Sequence, residues 1–267
     1  VGGMSDSVDA GDGGTYDVPW MLILANHFCS TSEPSLEEAL QALGPLGVNA
    51  RLLVSTVEAR RTRLELELAT HNLPAHLIDG VLAIYSYTIQ IPPAFSTVSA
   101  LMNDPEQRLL QPDMVTKATK WQKKVDNALI ALPASFDFTG VGYRGMRFAF
   151  DDLETRFVEG DTICWYTFKS LATSPDVMHD DSFCGRSAGR RTIYKVQNLM
   201  GKDISQFSHF RREAEVLCRP LTCLRVLKVT RGTYAEGDPF RCADLIELLM
   251  LTSFHPRSSD EVEAMLT

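Results

Sequence analysis

The spacing of apolar residues changes at Pro133, and this change is the feature that most constrains the fold. Before Pro133, apolar positions recur at the helical period of about 3.6 residues. After it, they fall into short runs rich in β-branched and aromatic residues, which is typical of strands. Helices grouped before strands, rather than alternating with them, indicate an α+β domain with a mostly antiparallel sheet. We therefore predict helices within residues 35–132 and strands within residues 138–252.

Several signals define the helices of the first half. Ser35 followed by Glu38 forms a capping box, which opens a short helix that should end near Gly44. Residues 49–71 are charged and helix-prone, and residues 77–85 place their apolar side chains at helical spacing. A long helix should begin at Pro112, and one apolar stripe runs along it: Met114, Val115, Ala118, Trp121, Val125, Ala128, Leu129 and Leu132. We interpret this stripe as core packing rather than as a ligand site.

The second half contains five segments that predict strands: GVGYRGMRF, TICWYTFKS, RTIYKVQN, REAEVLC and LRVLKVTR. Gly, Asp, Pro and Ser separate them, as expected of turns. A sixth segment, ADLIELLML, is ambiguous between a strand and a helix. Because the long helix needs an apolar surface to pack on, we predict one domain over residues 16–267, preceded by a flexible acidic tail over residues 1–15.

Charge excludes one class of partner. The net charge is -8, and seven of the 34 acidic residues lie within the first 50 positions, which contain no Lys or Arg. The remainder is nearly neutral and lacks the basic footprint of a nucleic-acid binder. No apolar stretch approaches the ~18 residues of a membrane span. We expect neither a nucleic-acid nor a membrane partner.

The six cysteines form no C-x-x-C pair, and their spacing fits no zinc-site pattern. Cys218, Cys223 and the nearby His209 are one alternative metal group, but our expectation is that no metal is bound. Most of the thiols should be free, which favours a reducing compartment and a cytoplasmic location. The even number of cysteines leaves disulfides open. Residues 1–15 lack the basic start and apolar core of a signal peptide.

Three features on the predicted strands carry chemistry. Arg144 lies in GYRG, Ser170 lies in WYTFKSLATS, and Glu213 and Glu215 lie in FRREAEVLC. Each has an ordinary interpretation when taken alone, as a surface arginine, a turn hydroxyl and an exposed sheet edge. In an extended strand the two carboxylates would project from the same face, about 7 Å apart.

Taken together and in this order, these motifs resemble those of the mono-ADP-ribosyltransferases of the arginine–serine–glutamate class. The likeness extends to AIYSYT in the helical half, to NALIALP before the arginine strand, and to GKDISQFSHFRREAEVLCRP around the glutamates. It spans roughly residues 75–230. The resemblance implies a split β-sheet core, NAD as a substrate, and a protein acceptor with an exposed arginine.

The resemblance also implies a role for each motif residue. Glu215 would stabilise the oxocarbenium character that develops on the ribose when the bond to nicotinamide breaks. Arg144 would hold the dinucleotide phosphates through its planar guanidinium, and the Gly145 backbone would approach the nicotinamide amide. Ser170 would orient the sugar and the catalytic glutamate. Glu213 would orient the guanidinium of the acceptor.

One departure from the family pattern leaves an alternative open. The family has a motif close to Ser-Thr-Ser, whereas this chain reads Ser-Leu-Ala-Thr-Ser from Ser170 onward. The functional hydroxyl is therefore Ser170, which keeps the Phe-x-Ser register and is our choice, or else Thr173 or Ser174. Phe183, in the loop expected beside the NAD cleft, is a candidate for stacking on nicotinamide.

Two further functions fit the same residues. If water is the main acceptor, the triad would give an NAD glycohydrolase. A catalytically silent module that binds NAD or a protein through the same cleft belongs to another class of function, and only the altered serine segment favours it. The sequence does not indicate an oligomeric state.

Overall fold

The computed structural model describes residues 18–179, 191–232 and 243–253. Its first half is helical, as the apolar spacing predicts. The helices are α1 (Val18–Ser30), α2 (Leu36–Gln41), α3 (Ala50–Glu58), α4 (Arg61–Thr70), α5 (Ile78–Thr88), α6 (Ala94–Asn103), α7 (Pro105–Leu110), α8 (Pro112–Ala131) and the short α9 (Leu153–Arg156). Helix α1 begins well before residue 35, where we expected the helical region to start.

The described residues form two compact units. Of the described residues, the helical unit contains 18–136 and 204–211, and the strand unit contains 137–179, 191–203, 212–232 and 243–253. Segment 204–211 thus belongs to the helical unit, although strands precede and follow it in the sequence.

The predicted capping box opens α2. The backbone N–H of Ser35 donates to Glu38 Oε2 at 2.8 Å, and the N–H of Glu38 donates to Ser35 Oγ at 3.2 Å. The hydrogen bonds from Ser35 hold the pKa of the Glu38 carboxyl below its ordinary value. The helix ends at Gln41, shortly before Gly44, so both of its predicted limits are confirmed.

Helices α5 and α8 pack closely within the helical unit. A Cβ at Gly80 would lie 3.1 Å from the Ala128 Cβ, which is tighter than an ordinary contact, so the helices would have to shift slightly to accept a side chain there. The Trp121 indole N–H donates to Ser86 Oγ at 2.9 Å. The apolar stripe of α8 is buried except for the half-buried Met114, which confirms its interpretation as core.

The strand unit contains a seven-stranded sheet. Its strands are β1 (Asp137–Met146), β2 (Thr162–Trp165), β3 (Lys169–Ala172), β4 (Arg191–Asp203), β5 (Glu215–Cys218), β6 (Thr222–Thr230) and β7 (Ala243–Ser253). The order is β1-β3-β5-β4-β7-β6-β2, and β1 also pairs with β4. Strands β4 and β7 are parallel and the other pairs are antiparallel, which confirms the predicted fold class. The ambiguous segment ADLIELLML is part of β7.

Two predicted strands have different limits in the structure. TICWYTFKS is not one strand, because β2 pairs with β6 whereas β3 pairs with β1 and β5. No Gly or Pro marks the break, and the buried aromatic residues Tyr166 and Phe168 continue the apolar pattern across it. REAEVLC is extended only from Glu215 onward.

The core of the strand unit is aromatic and aliphatic. Phe150, Phe157, Trp165 and Tyr194 form a chain of ring contacts with centroids 5.2 to 6.0 Å apart. This packing supports the strands that carry the predicted site. Within the described ranges, the helices are all too short or too polar to cross a lipid bilayer.

Candidate functional site

A pocket in the strand unit brings the predicted motif residues together. It encloses about 280 Å³, including space open to solvent. Its walls are formed by residues of β1, β3 and β5 and of the segments beside them: Tyr143, Arg144, Gly145, Ser170, Leu171, Ala172, Met178, Glu213 and Glu215. We call this cavity the Arg144–Glu215 pocket.

Arg144 is the cation of this pocket, and only 5 % of it is exposed. Its Nη1 donates to the backbone carbonyl of Ser170 at 3.2 Å, which links β1 to β3. The charge of Arg144 also affects the pKa of the Cys218 thiol in β5. Burial raises the pKa of the Cys218 thiol well above its ordinary value, and the nearby guanidinium opposes part of this rise. A buried guanidinium suits the binding of an anionic group such as a phosphate, whereas the carboxylates of the pocket suit a cationic one.

The strand register aligns three positions across neighbouring strands. Tyr143 of β1 lies opposite Ala172 of β3, and Ala172 lies opposite Glu215 of β5. Directly opposed residues share a face of the sheet. Ser170, two residues before Ala172, shares that face. The sheet therefore places the Ser170 hydroxyl and the Glu215 carboxylate on one side, only 8 % and 3 % exposed, respectively.

The two glutamates do not lie on one strand, so the predicted arrangement at about 7 Å on a strand face is wrong. Glu213 ends a 3-10 helix (Arg211–Glu213), and β5 begins at Glu215. Between them, Ala214 has a φ of 45°, which is left-handed. For a residue with a Cβ this conformation costs roughly 1–2 kcal/mol. Both glutamates nevertheless line the pocket. The left-handed turn at Ala214, rather than the alternation of side chains along a strand, directs them to it.

The alternative hydroxyls are placed differently from Ser170. Thr173 and Ser174 are not among the described residues that line the pocket. Ser174 Oγ instead accepts a hydrogen bond from the backbone N–H of Asp176 at 3.2 Å. The structure therefore brings Ser170 to Arg144 and the glutamates. Phe183 lies outside the described residues.

Four residues that line the pocket were not among our candidates. Tyr143 belongs to the quoted GYRG motif and could have been chosen as the neighbour of Arg144. Leu171 and Ala172 follow Ser170 and could have been inferred from the strand. Met178, in the 3-10 helix Pro175–His179, has no sequence signal that marks it as a pocket residue.

Segment 204–211, which precedes Glu213 in the chain, is attached to the helices of its own unit. The His209 backbone N–H donates to Thr88 Oγ1 at 2.9 Å, and the His209 ring nitrogen Nδ1 lies 3.2 Å from the Tyr85 hydroxyl. Arg63 donates to the Ser208 carbonyl at 3.2 Å. Burial and the charges of Arg60 and Arg63 lower the pKa of His209. AIYSYT, which contains Tyr85, thus helps to hold this segment.

Metal binding is not indicated by the described part of the chain. Within it, no group of three or more His, Cys, Asp or Glu side chains is arranged to hold a metal ion. The alternative group of Cys218, Cys223 and His209 therefore gains no support.

Comparison with known proteins gives structural neighbours only. No family model and no curated protein matches the sequence. The type III effector XopAI from Xanthomonas axonopodis pv. citri, in a truncated form, is 16 % identical over 88 % of this chain and 96 % of its own, with a TM-score of 0.57. A mutant of the eukaryotic mono-ADP-ribosyltransferase ART2.2 in complex with NADH is 18 % identical over 83 % and 86 %, with a TM-score of 0.54.

A third neighbour is the ADP-ribosyltransferase Vis from Vibrio splendidus, in complex with an inhibitor. It is 19 % identical over 85 % of this chain and 90 % of its own, with a TM-score of 0.50. At such identities the likeness concerns the course of the backbone. Neighbours of this kind, together with the pairing of the seven strands, confirm the fold that the sequence motifs imply. The chain has the ADP-ribosyltransferase fold.

Proposed function

We propose that the protein transfers ADP-ribose from NAD to arginine side chains of a protein acceptor and releases nicotinamide. The observation that carries this proposal is the meeting of Arg144, Gly145, Ser170, Glu213 and Glu215 around one pocket. These residues come from separate segments of the chain. Their convergence is expected of a binding and catalytic site.

Cleavage of the bond between nicotinamide and ribose requires stabilisation of positive charge on the sugar. This bond is N-glycosidic, and its transition state has oxocarbenium character, as in glycoside hydrolysis. Glu215 is 3 % exposed, so its carboxylate would act in surroundings that screen charge poorly. In the proposed reaction Glu215 opposes the charge on the ribose and accepts a hydrogen bond from a ribose hydroxyl.

The other residues would bind and orient NAD. The planar guanidinium of Arg144 matches the geometry of phosphate oxygens, and its Nη1 also holds the Ser170 carbonyl. Gly145 has no side chain to keep the nicotinamide amide away from the β1 backbone. Ser170 shares a sheet face with Glu215, which suits a hydroxyl that orients both the sugar and this carboxylate.

Glu213 would select the acceptor. A carboxylate can accept two parallel hydrogen bonds from a guanidinium, which fixes the direction of approach of an arginine. Glu213 is half-buried at the pocket, in contrast to the buried Glu215. The more exposed carboxylate would thus meet a side chain that arrives from another protein, while the buried one faces the ribose.

Structures with this fold support NAD as the donor, since the ART2.2 complexes contain NADH or NAD. NAD glycohydrolase activity remains the second candidate function. A carboxylate that stabilises the ribosyl cation would serve equally when water is the acceptor.

Incubation of the protein with NAD labelled in its adenosine half tests the proposal. Label should appear on arginine residues of added protein acceptors, located by mass spectrometry, together with one nicotinamide per transferred group. Free ADP-ribose without labelled protein would identify a glycohydrolase instead. If neither product forms although NAD binds, the site is a silent binding module and the proposal fails.

A further inference from the structure

Cys164 and Cys223 lie opposite each other in the strand unit. They are paired positions in the antiparallel ladder of β2 and β6. Opposed residues in such a ladder have Cα atoms about 4.5 or 5.5 Å apart, depending on the hydrogen-bonding position. A disulfide requires a Cα separation of roughly 4.4–6.8 Å. The backbone of β2 and β6 therefore already satisfies the main distance requirement for a bond between these sulfurs.

Neither side chain belongs to a disulfide in the structure, and the two thiols interact with each other. A hydrogen bond between the two side chains raises the pKa of Cys164, and burial raises it further. The same hydrogen bond lowers the pKa of Cys223. The thiolate is the nucleophile in thiol chemistry, so Cys223 is the better attacking group of the two.

A reagent can reach this buried pair only when the sheet opens locally at β2. Strand β2 is the last strand in the sheet order and has four residues, so few ladder hydrogen bonds hold it. Cys223 is 7 % exposed and Cys164 is 2 % exposed. The ladder between β6 and β7 is also irregular between Cys223 and Leu224. Local opening at this edge would expose Cys223 first.

We propose that Cys164 and Cys223 are a redox-sensitive dithiol, which a small-molecule disulfide such as oxidised glutathione converts into a cross-strand disulfide. The Cys223 thiolate attacks one sulfur of glutathione disulfide and releases one glutathione thiolate. Cys164 gives its proton to a thiolate or to water and attacks the Cys223 sulfur of the mixed disulfide, which releases the second glutathione. In balance, two protein thiols are oxidised to a disulfide and one glutathione disulfide is reduced to two thiols.

The Cys164–Cys223 disulfide would fix strand β2, which is followed in the chain by β3 and the Arg144–Glu215 pocket. Three residues separate the end of β2 at Trp165 from β3, which carries Ser170. Oxidation would tie β2 covalently to β6, and reduction would release it. This property is independent of the proposed transferase function, since it requires only the thiols and the sheet.

Oxidation of the full chain with glutathione disulfide tests the proposal. The treated protein is unfolded in acid, its remaining thiols are alkylated, and its mass and protease fragments are measured. We expect two fewer alkylated thiols than in the reduced protein, a mass lower than that of the alkylated reduced protein by two alkyl groups, and one cross-link that joins the fragments containing Cys164 and Cys223. Dithiothreitol should restore both thiols.

Variants test the order of the two steps. Cys164→Ser should stop at the mixed disulfide, with one glutathione attached to Cys223, whereas Cys223→Ser should leave Cys164 unmodified over the same time. Cys218→Ser is the matched control, because Cys218 lies in β5, and it should cross-link as the wild type does. Alkylation of Cys164 and Cys223 in the oxidised wild type would overturn the proposal. A cross-link from Cys223 to any other cysteine, including Cys184 or Cys242, would overturn it as well.

Discussion

Arg144 Nη1 donates a hydrogen bond to the backbone carbonyl of Ser170 at 3.2 Å, so the arginine and serine motifs are joined directly. The acceptor is the carbonyl and not the hydroxyl. The bond therefore positions β3 without using the group that would contact the sugar. One N–H of Arg144 is engaged in this way, and the planar shape of the guanidinium sets the direction of the others.

Replacing Arg144 by Lys should weaken NAD binding although the positive charge remains. An ammonium cannot hold the Ser170 carbonyl and two phosphate oxygens in the same fixed geometry. The loss of a charge-assisted contact costs about 1.5–3 kcal/mol, or roughly a tenfold to hundredfold increase in Kd. Calorimetric titration with NAD measures this change.

The matched control for this change is Arg225→Lys. Arg225 is exposed on β6 and does not line the pocket, so its replacement should leave the Kd unchanged. Equal affinity of Arg144→Lys and wild type, with both proteins folded, would remove Arg144 from the binding site.

Glu215→Gln should abolish most of the transfer while NAD still binds. The amide keeps the size of the side chain but lacks the charge that opposes the oxocarbenium ion, and the loss of one such group commonly lowers kcat about a hundredfold to a thousandfold. Nicotinamide release under saturating NAD is the measurement. Glu65→Gln, at an exposed position of α4, controls for the loss of one carboxylate. Turnover of Glu215→Gln close to that of wild type would contradict the catalytic role.

Glu213→Gln should impair the transfer of ADP-ribose to arginine more than its transfer to water. Transfer to agmatine, a soluble arginine mimic, should fall roughly tenfold to a hundredfold, because a charge-assisted hydrogen bond to the guanidinium is lost. Hydrolysis of NAD by water should largely persist, since water needs no carboxylate to align a planar cation. Both rates are measured on one preparation. An equal fall in both would mean that Glu213 and Glu215 act as one electrostatic unit.

Stability should decrease with falling pH through the ordinary histidine pKa of 6.5, and His209 should contribute to this decrease. Burial and the charges of Arg60 and Arg63 lower the pKa of His209 in the folded protein. As the pH falls through 6.5, the unfolded chain therefore binds a proton before the folded chain does, and unfolding is favoured. Above 6.5 this effect vanishes.

Denaturant unfolding at a series of pH values tests this prediction. His209→Gln should lose less stability than the wild type between neutral and mildly acidic pH. His27, whose pKa is lowered by burial, acts in the same direction in both proteins, so the difference between them isolates His209. His76→Gln, at an exposed position, should retain the wild-type pH dependence. Identical pH profiles for wild type and His209→Gln would show that His209 does not contribute.

The parts of the fold that depend on local signals could be predicted from the sequence. The capping box at Ser35, the start of α8 at Pro112 and its apolar stripe need only neighbouring residues, and each is present. Arg144, Ser170, Glu213 and Glu215 could be chosen from the sequence because they occur in recognisable motifs. Their convergence could be expected only through the resemblance, because it depends on pairing between distant strands.

The details that could not be predicted depend on tertiary contacts. Nothing in REAEVLC shows that Ala214 adopts a left-handed conformation, since alanine ordinarily avoids it. The break between β2 and β3 has no turn residues, and it follows from which strands accept each half of the segment. In both cases the surrounding sheet overrides the local preference.

The parallel pairing of β4 with β7 has a consequence for the order of folding. Strand β7 lies between β4 and β6, so it is the strand that connects β6 and β2 to the rest of the sheet. Yet its partner in β4 is about fifty residues earlier, as in the pair Arg191 and Ala243. Contacts so distant in sequence form late and slow the search for the native state. During synthesis the sheet cannot be completed until residues 243–253 have left the ribosome. Until then, the edges of β4 and β6 that β7 will cover are open to pairing with strands of other chains.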